Sequence, residues 1–183
     1  MVATSVQTIA ANTPPASLDC KKAIVVGSTS CGKTALVNRA ALNSFSKVYQ
    51  QTYGADLIVK ASADGKKGSL KIWCTGGHER YRALLEQFYQ NVHAAILCFD
   101  MLSQASFAEL PFWYNEIKRN APDAFIILVG LKSDEADNVV VKQQDAIRQA
   151  LDWNIEFRPV SAKAGTGVHE LFEYVLDSVH KKR

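Results

Sequence analysis

The sequence lacks the features that are typical of secreted, membrane-spanning and disulfide-stabilised proteins. Its first 18 residues contain no Lys or Arg and no long apolar run, which argues against a secretory signal and a mitochondrial transit peptide. No apolar run approaches the length needed to cross a membrane. The four cysteines are scattered without a C-x-x-C pair. We therefore expect reduced thiols and a cytoplasmic protein.

An excess of charge of one sign is also missing. The net charge of +3 is too small to indicate a nucleic acid as a partner. A length of 183 residues favours one domain with a full core. We expect a flexible arm at 1–19, the domain at 20–180 and a solvated basic tip at 181–183. The last four residues contain no cysteine for a prenyl group, so we expect no lipid anchor in this chain.

What the sequence does contain is a glycine-rich turn between a strand pattern and a helix pattern. The turn Gly27-Ser28-Thr29-Ser30-Cys31-Gly32-Lys33-Thr34 follows the apolar run 23–26 and leads into a helix-forming stretch at 34–40. Such a loop turns its backbone N–H groups around phosphate oxygens at the positive end of the helix. Lys33 can reach the β and γ phosphates, and the Thr34 hydroxyl can bind Mg²⁺. An ordinary glycine turn is the alternative interpretation.

Strand and helix patterns alternate along the rest of the chain. The predicted strands lie at 55–61, 69–74, 93–99, 124–130 and 155–160, with a hairpin turn at 64–68. The predicted helices lie at 80–90, 103–120 with Pro111 as a kink or first turn, 139–151 and 168–179. This order predicts a mostly parallel sheet covered on both faces. Ligands bind beyond the carboxyl ends of such strands, where 27–34, 75–79, 130–134 and 161–163 fall.

Those four stretches, together with Thr52, resemble the nucleotide-binding motifs of the Ras superfamily of small GTPases, and the Rab branch in particular. Ile72-Trp73-Cys74-Thr75-Gly76-Gly77-His78-Glu79-Arg80-Tyr81 is similar to the Rab segment Ile-Trp-Asp-Thr-Ala-Gly-Gln-Glu-Arg-Phe. The resemblance extends from about Cys20 to Val179. It implies a single P-loop GTPase domain of the α/β class. The sheet would have six mostly parallel strands with one antiparallel edge strand, and helices would cover both faces.

The resemblance also implies a site for GTP or GDP with Mg²⁺. Thr34 and Thr52 would bind the metal, and His78, Gly77 and Lys33 would act on the γ-phosphate. Phe45 would pack on the guanine, Lys132 would lie along the base, and Asp134 would accept its N1–H and amine. The full set expected to bind the nucleotide is Gly27, Ser30, Cys31, Gly32, Lys33, Thr34, Ala35, Phe45, Thr52, Gly77, Lys132, Asp134, Ser161, Ala162 and Lys163.

The same resemblance implies protein partners. Leu57, Trp73 and Phe88 match the triad through which Rab proteins meet effectors, with Leu57 in place of the usual Phe. Apolar residues at this spacing are as often part of a core, so that interpretation stays open. An exchange factor and an activating protein are further expected partners. We expect a monomer that binds endomembranes, if at all, peripherally through its partners.

Three positions depart from the family pattern. Cys74 replaces the Asp that holds a Mg²⁺-bound water, His78 replaces the Gln that orients the attacking water, and Leu131 replaces the Asn that braces the loop and guanine N7. Each loss is expected to cost about 1–3 kcal/mol where a polar partner is left unpaired. The thiol at Cys74 should stay neutral beside phosphates. A zinc site at Cys74 and His78 is a weaker alternative, because no second ligand pair is in view.

Two functions therefore remain in view. The first is an atypical Rab-like GTPase that hydrolyses GTP slowly and acts as a switch, in vesicular membrane traffic. The second is a nucleotide-binding pseudo-GTPase that serves as an interaction scaffold without an effective hydrolysis cycle. The residues Lys33, Thr34, Thr52, Gly77 and Asp134 favour the first function. The three departures at Cys74, His78 and Leu131 favour the second.

Overall fold

The computed structural model describes residues 8–10, 19–64, 67–78 and 85–181. Within these residues the strands are β1 Thr8–Ala10, β2 Cys20–Gly27, β3 Ala55–Ala61, β4 Ser69–Thr75, β5 Ala94–Asp100, β6 Phe125–Leu131 and β7 Glu156–Val160. The helices are α1 Lys33–Leu42, α2 Glu86–Tyr89, α3 Gln104–Ala108, α4 Leu110–Asn120, α5 Gln143–Asp152 and α6 Val168–Lys181.

The described strands form one sheet in the order β1-β3-β4-β2-β5-β6-β7. Only β3 and β4 are antiparallel among the pairs described, and all the other pairs are parallel. The six predicted strands are therefore present as β2 to β7, with the expected hairpin between β3 and β4. The predicted α/β class and mostly parallel sheet are confirmed.

The short strand β1 is an addition that the sequence patterns did not predict. It pairs with residues 57–59 of β3, so β3 has a neighbour on both sides and is not the edge strand. Residues 8–10 thus differ from the flexible arm expected at 1–19. The remainder of that arm, apart from Asp19, lies outside the described residues, as do the last two residues of the basic tip.

Helices cover both faces of the sheet, and the central strands β2, β5 and β6 are largely buried between them. All seven residues of β5 are buried, as expected for a central parallel strand. One core lies between the sheet, α1 and α6, to which the apolar side of α6 contributes Val168, Leu171, Phe172, Val175 and Val179. A second core lies between the sheet, α2, α4 and α5.

The helix boundaries differ from the predictions at three places. The stretch predicted as one helix at 103–120 is two helices, and Pro111 lies in the first turn of α4, where its missing N–H costs nothing. The helix predicted from 139 begins at Gln143, because the N–H groups of Val140 and Val141 both donate to the Met101 carbonyl. Of the helix predicted at 80–90, α2 is described, and residues 79–84 lie outside the described residues.

The candidate site follows from the direction of the strands. β2, β5, β6 and β7 are parallel, and β4 runs alongside β2 in the same direction. Their carboxyl ends lie at one edge of the sheet, and the four predicted stretches begin there.

Candidate functional site

The glycine-rich loop is held close to β5 by its first residue. Gly27 has a φ of 143°, and a Cβ there would lie 2.1 Å from the Cys98 carbonyl oxygen, so only glycine fits. The Cys31 side chain is buried behind the loop, with its Sγ 3.9 Å from the same oxygen. Helix α1 starts immediately afterwards at Lys33.

The Lys33 side chain lies back over this loop. Its Nζ donates to the carbonyls of Gly27 at 2.9 Å and Ser28 at 2.8 Å, and the residue is 5% exposed. The Ser28 hydroxyl in turn donates to a Glu109 carboxylate oxygen at 2.8 Å, which ties the loop to the start of α4. The ammonium is therefore fixed in the concave side of the loop, as a phosphate-binding lysine requires.

Thr34 and Thr52 come together although they belong to separate stretches of chain. Their hydroxyl oxygens are 3.0 Å apart, and the Cys74 Sγ lies 3.7 Å from that of Thr34. Burial raises the pKa of the Cys74 thiol to about 11, although Lys33 acts in the opposite direction. The thiol is neutral at neutral pH, as predicted, but burial is the main cause rather than neighbouring negative charge.

The two hydroxyls fit the geometry of a magnesium site. Adjacent ligands of an octahedral ion with metal–oxygen bonds of about 2.1 Å lie about 3.0 Å apart. The Thr34–Thr52 separation matches this value, and both are the hard oxygen ligands that Mg²⁺ prefers. Zinc has less support, since the described residues contain no group of three or more His, Cys, Asp and Glu side chains around one point.

Gly77 lies against the first residues of the glycine-rich loop. A Cβ on Gly77 would lie 2.5 Å from the Gly27 carbonyl oxygen and from backbone atoms of Ser28 and Thr29. Only glycine lets the two backbones approach this closely. His78, the next residue, is half-buried and faces the same cavity as Lys33.

Two adjoining cavities lie over these elements. The large cavity, of about 430 Å³, is lined by the loop, the 44–52 connection and residues 75–78. The side cavity, of about 350 Å³, adjoins it and extends towards the ends of β6 and β7. Between them they reach all the predicted site residues except three, which are Gly27, Cys31 and Ser161.

Those three residues lie behind the cavity walls and support them. Gly27 and Cys31 pack against β5, as described above. Ser161 is 1% exposed, and its hydroxyl donates to Asp134 Oδ1 at 2.6 Å while accepting the Ala164 N–H at 2.9 Å. It fixes the Asp134 carboxylate and does not line either cavity.

Asp134 is an ionised acceptor at the wall of the side cavity. Burial acts to raise its pKa, but the hydrogen bond from Ser161 and the nearby Lys163 ammonium leave the pKa below its usual range. Lys163 Nζ is 3.5 Å from Asp134 and 2.6 Å from Glu135, so the lysine joins both carboxylates. An ionised carboxylate here can only accept hydrogen bonds, which suits a ligand edge with two donors.

The chain that follows β6 adopts a left-handed backbone. Lys132 has a φ of 63°, and its Nζ contacts an Asp100 carboxylate oxygen at 2.6 Å. Leu131, the preceding residue, is buried, and its Cδ1 lies 3.5 Å from the position of a Cβ on Gly32. Leu131 belongs to the same buried apolar cluster as Cys31 of the glycine-rich loop.

The family model and the most similar proteins found by comparison all indicate the same protein family. The model of the Ras family matches residues 22–181. The chain belongs to the Ras family of small GTPases. It is 37% identical to the Ras-related protein Rab-3D of Homo sapiens over 163 residues, which cover 88% of this chain and 74% of that protein. It is 36% identical to the GTP-binding protein Rab-3D of Rattus norvegicus over the same shares, and 34% identical to Rab-26 of Bos taurus, of which it covers 64%.

Three side chains of this Rab-like GTPase are part of the site but were not predicted from the sequence. Tyr49 is 60% exposed over the large cavity, and hydrogen bonds from Thr29 and Ser30 lower the pKa of its phenol. Arg39 extends from α1 to the 161–163 loop, and Asp56 lies opposite Cys74 on β3. Counting back along both strands from the predicted hairpin turn would have paired residues 56 and 74. No local pattern indicates Arg39.

The predicted effector triad is not uniformly exposed in this Rab-like GTPase. Leu57 and Trp73 are directly opposite each other on β3 and β4, and both are half-buried. Phe88 is 7% exposed and packs against the Trp73 ring, with 5.2 Å between the ring centroids. Leu57 and Trp73 therefore offer accessible surface, whereas Phe88 belongs largely to the core. Among the described helices, none is long and apolar enough to span a membrane.

Proposed function

We propose that this Rab-like GTPase is a Mg²⁺-dependent GTP/GDP switch that hydrolyses GTP slowly and acts in vesicular membrane traffic. The observation that carries the proposal is the 3.0 Å contact between the Thr34 and Thr52 hydroxyls beside the glycine-rich loop. The contact brings a loop threonine and a threonine of the 44–52 connection to one point. A switch needs such a junction, because the γ-phosphate and its ion then order the connection.

At the phosphate end, this chain supplies positive charge and backbone donors. The loop N–H groups and Lys33 would bind the phosphate oxygens, Gly77 would donate its N–H to the γ-phosphate, and Thr34 and Thr52 would hold Mg²⁺. When bound, Mg²⁺ would neutralise charge on the β and γ phosphates. The burial of Lys33 supports this role, since its ammonium is already fixed at the loop.

At the base end, the side cavity supplies groups that suit guanine. Asp134 would accept hydrogen bonds from N1–H and the exocyclic amine, a pair of donors that adenine lacks. Ala162 would donate its N–H to O6, Phe45 would pack on the ring and Lys132 would lie along it. The ionised state of Asp134 and its anchoring by Ser161 support this reading.

Slow hydrolysis is proposed because of His78. The attacking water has to be aligned by a group that both accepts and donates hydrogen bonds, and neutral imidazole does so from a shorter, rigid ring than the amide of Gln. His78→Gln is expected to raise the intrinsic single-turnover rate several-fold, measured as phosphate release from preloaded protein. An unchanged rate despite tight GTP binding would show that His78 does not limit hydrolysis.

The proposal extends to partners and place of action. An effector would bind the GTP form through the accessible surface at Leu57 and Trp73, with Phe88 supporting it from beneath. An exchange factor and an activating protein would set the timing of the cycle. The protein would be a cytoplasmic monomer that reaches endomembranes through these partners.

The decisive experiment is to identify the nucleotide that copurifies with the protein and to compare its binding of GTP, ATP and XTP. We expect GDP or GTP to copurify, and GTP to bind much more tightly than ATP. Asp134→Asn should weaken GTP binding and favour XTP, whose altered edge carries an acceptor. Equal binding of ATP and GTP would contradict guanine specificity. If no nucleotide binds, the interaction scaffold becomes the better description.

A further inference from the structure

Glu135 is a second carboxylate at the wall of the side cavity, beside the one proposed to bind guanine. It follows Asp134 directly, and both residues line the cavity together with Lys163. The Lys163 Nζ lies 2.6 Å from Glu135 Oε1 but 3.5 Å from Asp134 Oδ2. The first distance is that of a short charge-assisted hydrogen bond, whereas the second is long for a hydrogen bond. The lysine is therefore held mainly by Glu135.

The pKa directions of these groups agree with this pairing. The hydrogen bond to Glu135 is the main cause that raises the pKa of Lys163, ahead of its contact with Asp134. In return, the hydrogen bond from Lys163 lowers the pKa of Glu135. Both groups are therefore charged at neutral pH, and the ammonium stays with Glu135.

This pairing leaves Asp134 with acceptor capacity for a ligand. Its Oδ1 accepts the Ser161 hydroxyl at 2.6 Å, whereas its Oδ2 has only the long contact with the Lys163 ammonium among the distances above. An ionised carboxylate has about four lone-pair sites, so sites remain for two donors of a base. An ammonium drawn fully onto Oδ2 would occupy one of these sites and cancel the charge that strengthens hydrogen bonds to the base.

A second lysine of the side cavity shows the same arrangement. Lys132 lines the cavity, and its Nζ lies 2.6 Å from Asp100 Oδ2. Lys132 and Lys163 thus each have a carboxylate other than Asp134 at 2.6 Å. In both cases a positive group beside the cavity is paired without drawing on the Asp134 carboxylate.

We propose that Glu135 is a positioning residue for guanine recognition: it holds the Lys163 ammonium away from Asp134 Oδ2, which keeps that carboxylate available to the N1–H and amine of the base. This inference rests on the proposed function, because it assumes that Asp134 binds guanine. The role of Glu135 is to control the position of a neighbouring charge, since a partly exposed ion pair contributes little to stability by itself.

The test compares the affinities of the full chain for GDP and for inosine diphosphate, which keeps N1–H but lacks the exocyclic amine. Glu135→Gln preserves the size of the side chain and removes its charge, so Lys163 should move onto Asp134. GDP affinity is expected to fall about fivefold, the upper end for a partly exposed ion pair. Inosine diphosphate should lose less, because it offers Asp134 one donor fewer. Competition against fluorescent GDP measures both affinities.

Asp137→Asn is the matched control for this substitution. Asp137 is an exposed carboxylate two residues after Glu135, and its loss of charge should change neither affinity. An equal loss of affinity for GDP and inosine diphosphate in Glu135→Gln would indicate a general structural effect and overturn the inference. Unchanged GDP affinity in Glu135→Gln would overturn it as well.

Removal of the lysine tests whether Glu135 acts through it. In the Lys163→Gln background, Glu135→Gln should leave the preference for GDP over inosine diphosphate unchanged, because no ammonium remains to move. The same loss of preference in both backgrounds would overturn the inference and leave guanine binding intact. A wild type that binds ATP as tightly as GTP, or binds no guanine nucleotide, would contradict the proposed function and this inference with it.

Discussion

At the scale of single residues, Leu131 places an apolar side chain where the family pattern has the polar side chain of Asn. Its side chain is buried in the same cluster as Cys31 of the glycine-rich loop, so the loop has an apolar neighbour at this position. The side cavity that Leu131 lines has no side-chain amide there to donate to guanine N7. In the proposed guanine site, N7 of the base would therefore lack this donor.

We therefore predict that the wild type distinguishes poorly between GDP and 7-deaza-GDP, which lacks N7. Leu131→Asn should bind GDP about tenfold more tightly than the 7-deaza analogue, an increment of about 1.4 kcal/mol. Competition against a fluorescent guanine nucleotide measures both ratios. A wild type that already discriminates strongly would mean that another group reads N7.

Cys74 makes folding sensitive to alkaline pH. Burial raises its pKa to about 11 from an ordinary value of 9.0, so the folded chain retains a proton that the unfolded chain loses in this range. The stabilisation is fully present below pH 9 and is lost as pH rises towards 11. Urea unfolding at pH 8 to 11 should show a loss that is smaller in Cys74→Ala, by about 2 kcal/mol at pH 11. If the free energy of unfolding falls equally with pH in the wild type and in Cys74→Ala, burial of the Cys74 thiol is not the cause.

At the scale of elements, Arg39 connects α1 to the 161–163 loop. Its guanidinium donates to the Ala162 carbonyl at 2.7 Å and the Lys163 carbonyl at 3.0 Å. It also donates to the backbone and side-chain oxygens of Asn43, at the carboxyl end of α1. One side chain therefore links the helix that follows the glycine-rich loop to the loop proposed to read guanine O6.

Arg39→Gln is expected to speed guanine nucleotide release by about tenfold, because charge-assisted hydrogen bonds to two carbonyls are lost. The effect should be smaller for a 2-aminopurine nucleotide, which lacks O6. Arg148→Gln, on the exposed side of α5, serves as the control. Equal effects on both nucleotides would mean that Arg39 stabilises the domain without positioning the loop.

At the scale of the whole molecule, the β3–β4 hairpin connects the candidate site to the core. Its ends lie next to site residues, and its accessible side chains pack on buried ones. Thr52 lies shortly before β3, and Gly77 follows β4, so the hairpin connects the two segments that would contact the γ-phosphate. Leu57 and Trp73 lie on this hairpin, and Trp73 packs on the buried Phe88. A change in nucleotide can thus alter the surface offered to an effector.

Leu57→Ala and Phe88→Ala should distinguish a residue that contributes accessible binding surface from one that stabilises the core. Leu57→Ala is expected to reduce capture of a GTP-dependent effector while changing the melting temperature little, because the side chain is half-exposed. Phe88→Ala should cost about 3–5 kcal/mol and lower the melting temperature by about 10 °C. If Leu57→Ala melts as early as Phe88→Ala, Leu57 belongs to the core and not to a docking surface.

The sequence by itself determined the order of strands and helices and the stretches that form the site. Apolar runs and glycine-rich turns are local signals, and parallel strands bring their carboxyl ends together whatever the details of packing. Thr34, Thr52 and Asp134 line the two cavities at this edge of the sheet.

Only the tertiary structure decided which distant side chains meet. Arg39 contacts Ala162 across more than a hundred residues of chain, and β1 adds a strand beside β3 although its sequence is short and not strongly patterned. Whether Phe88 lies in the core or on the surface depends on how α2 packs over Trp73. Such contacts follow from the packing of the complete chain, because local sequence patterns place whole strands and helices but do not specify which individual side chains meet across the fold.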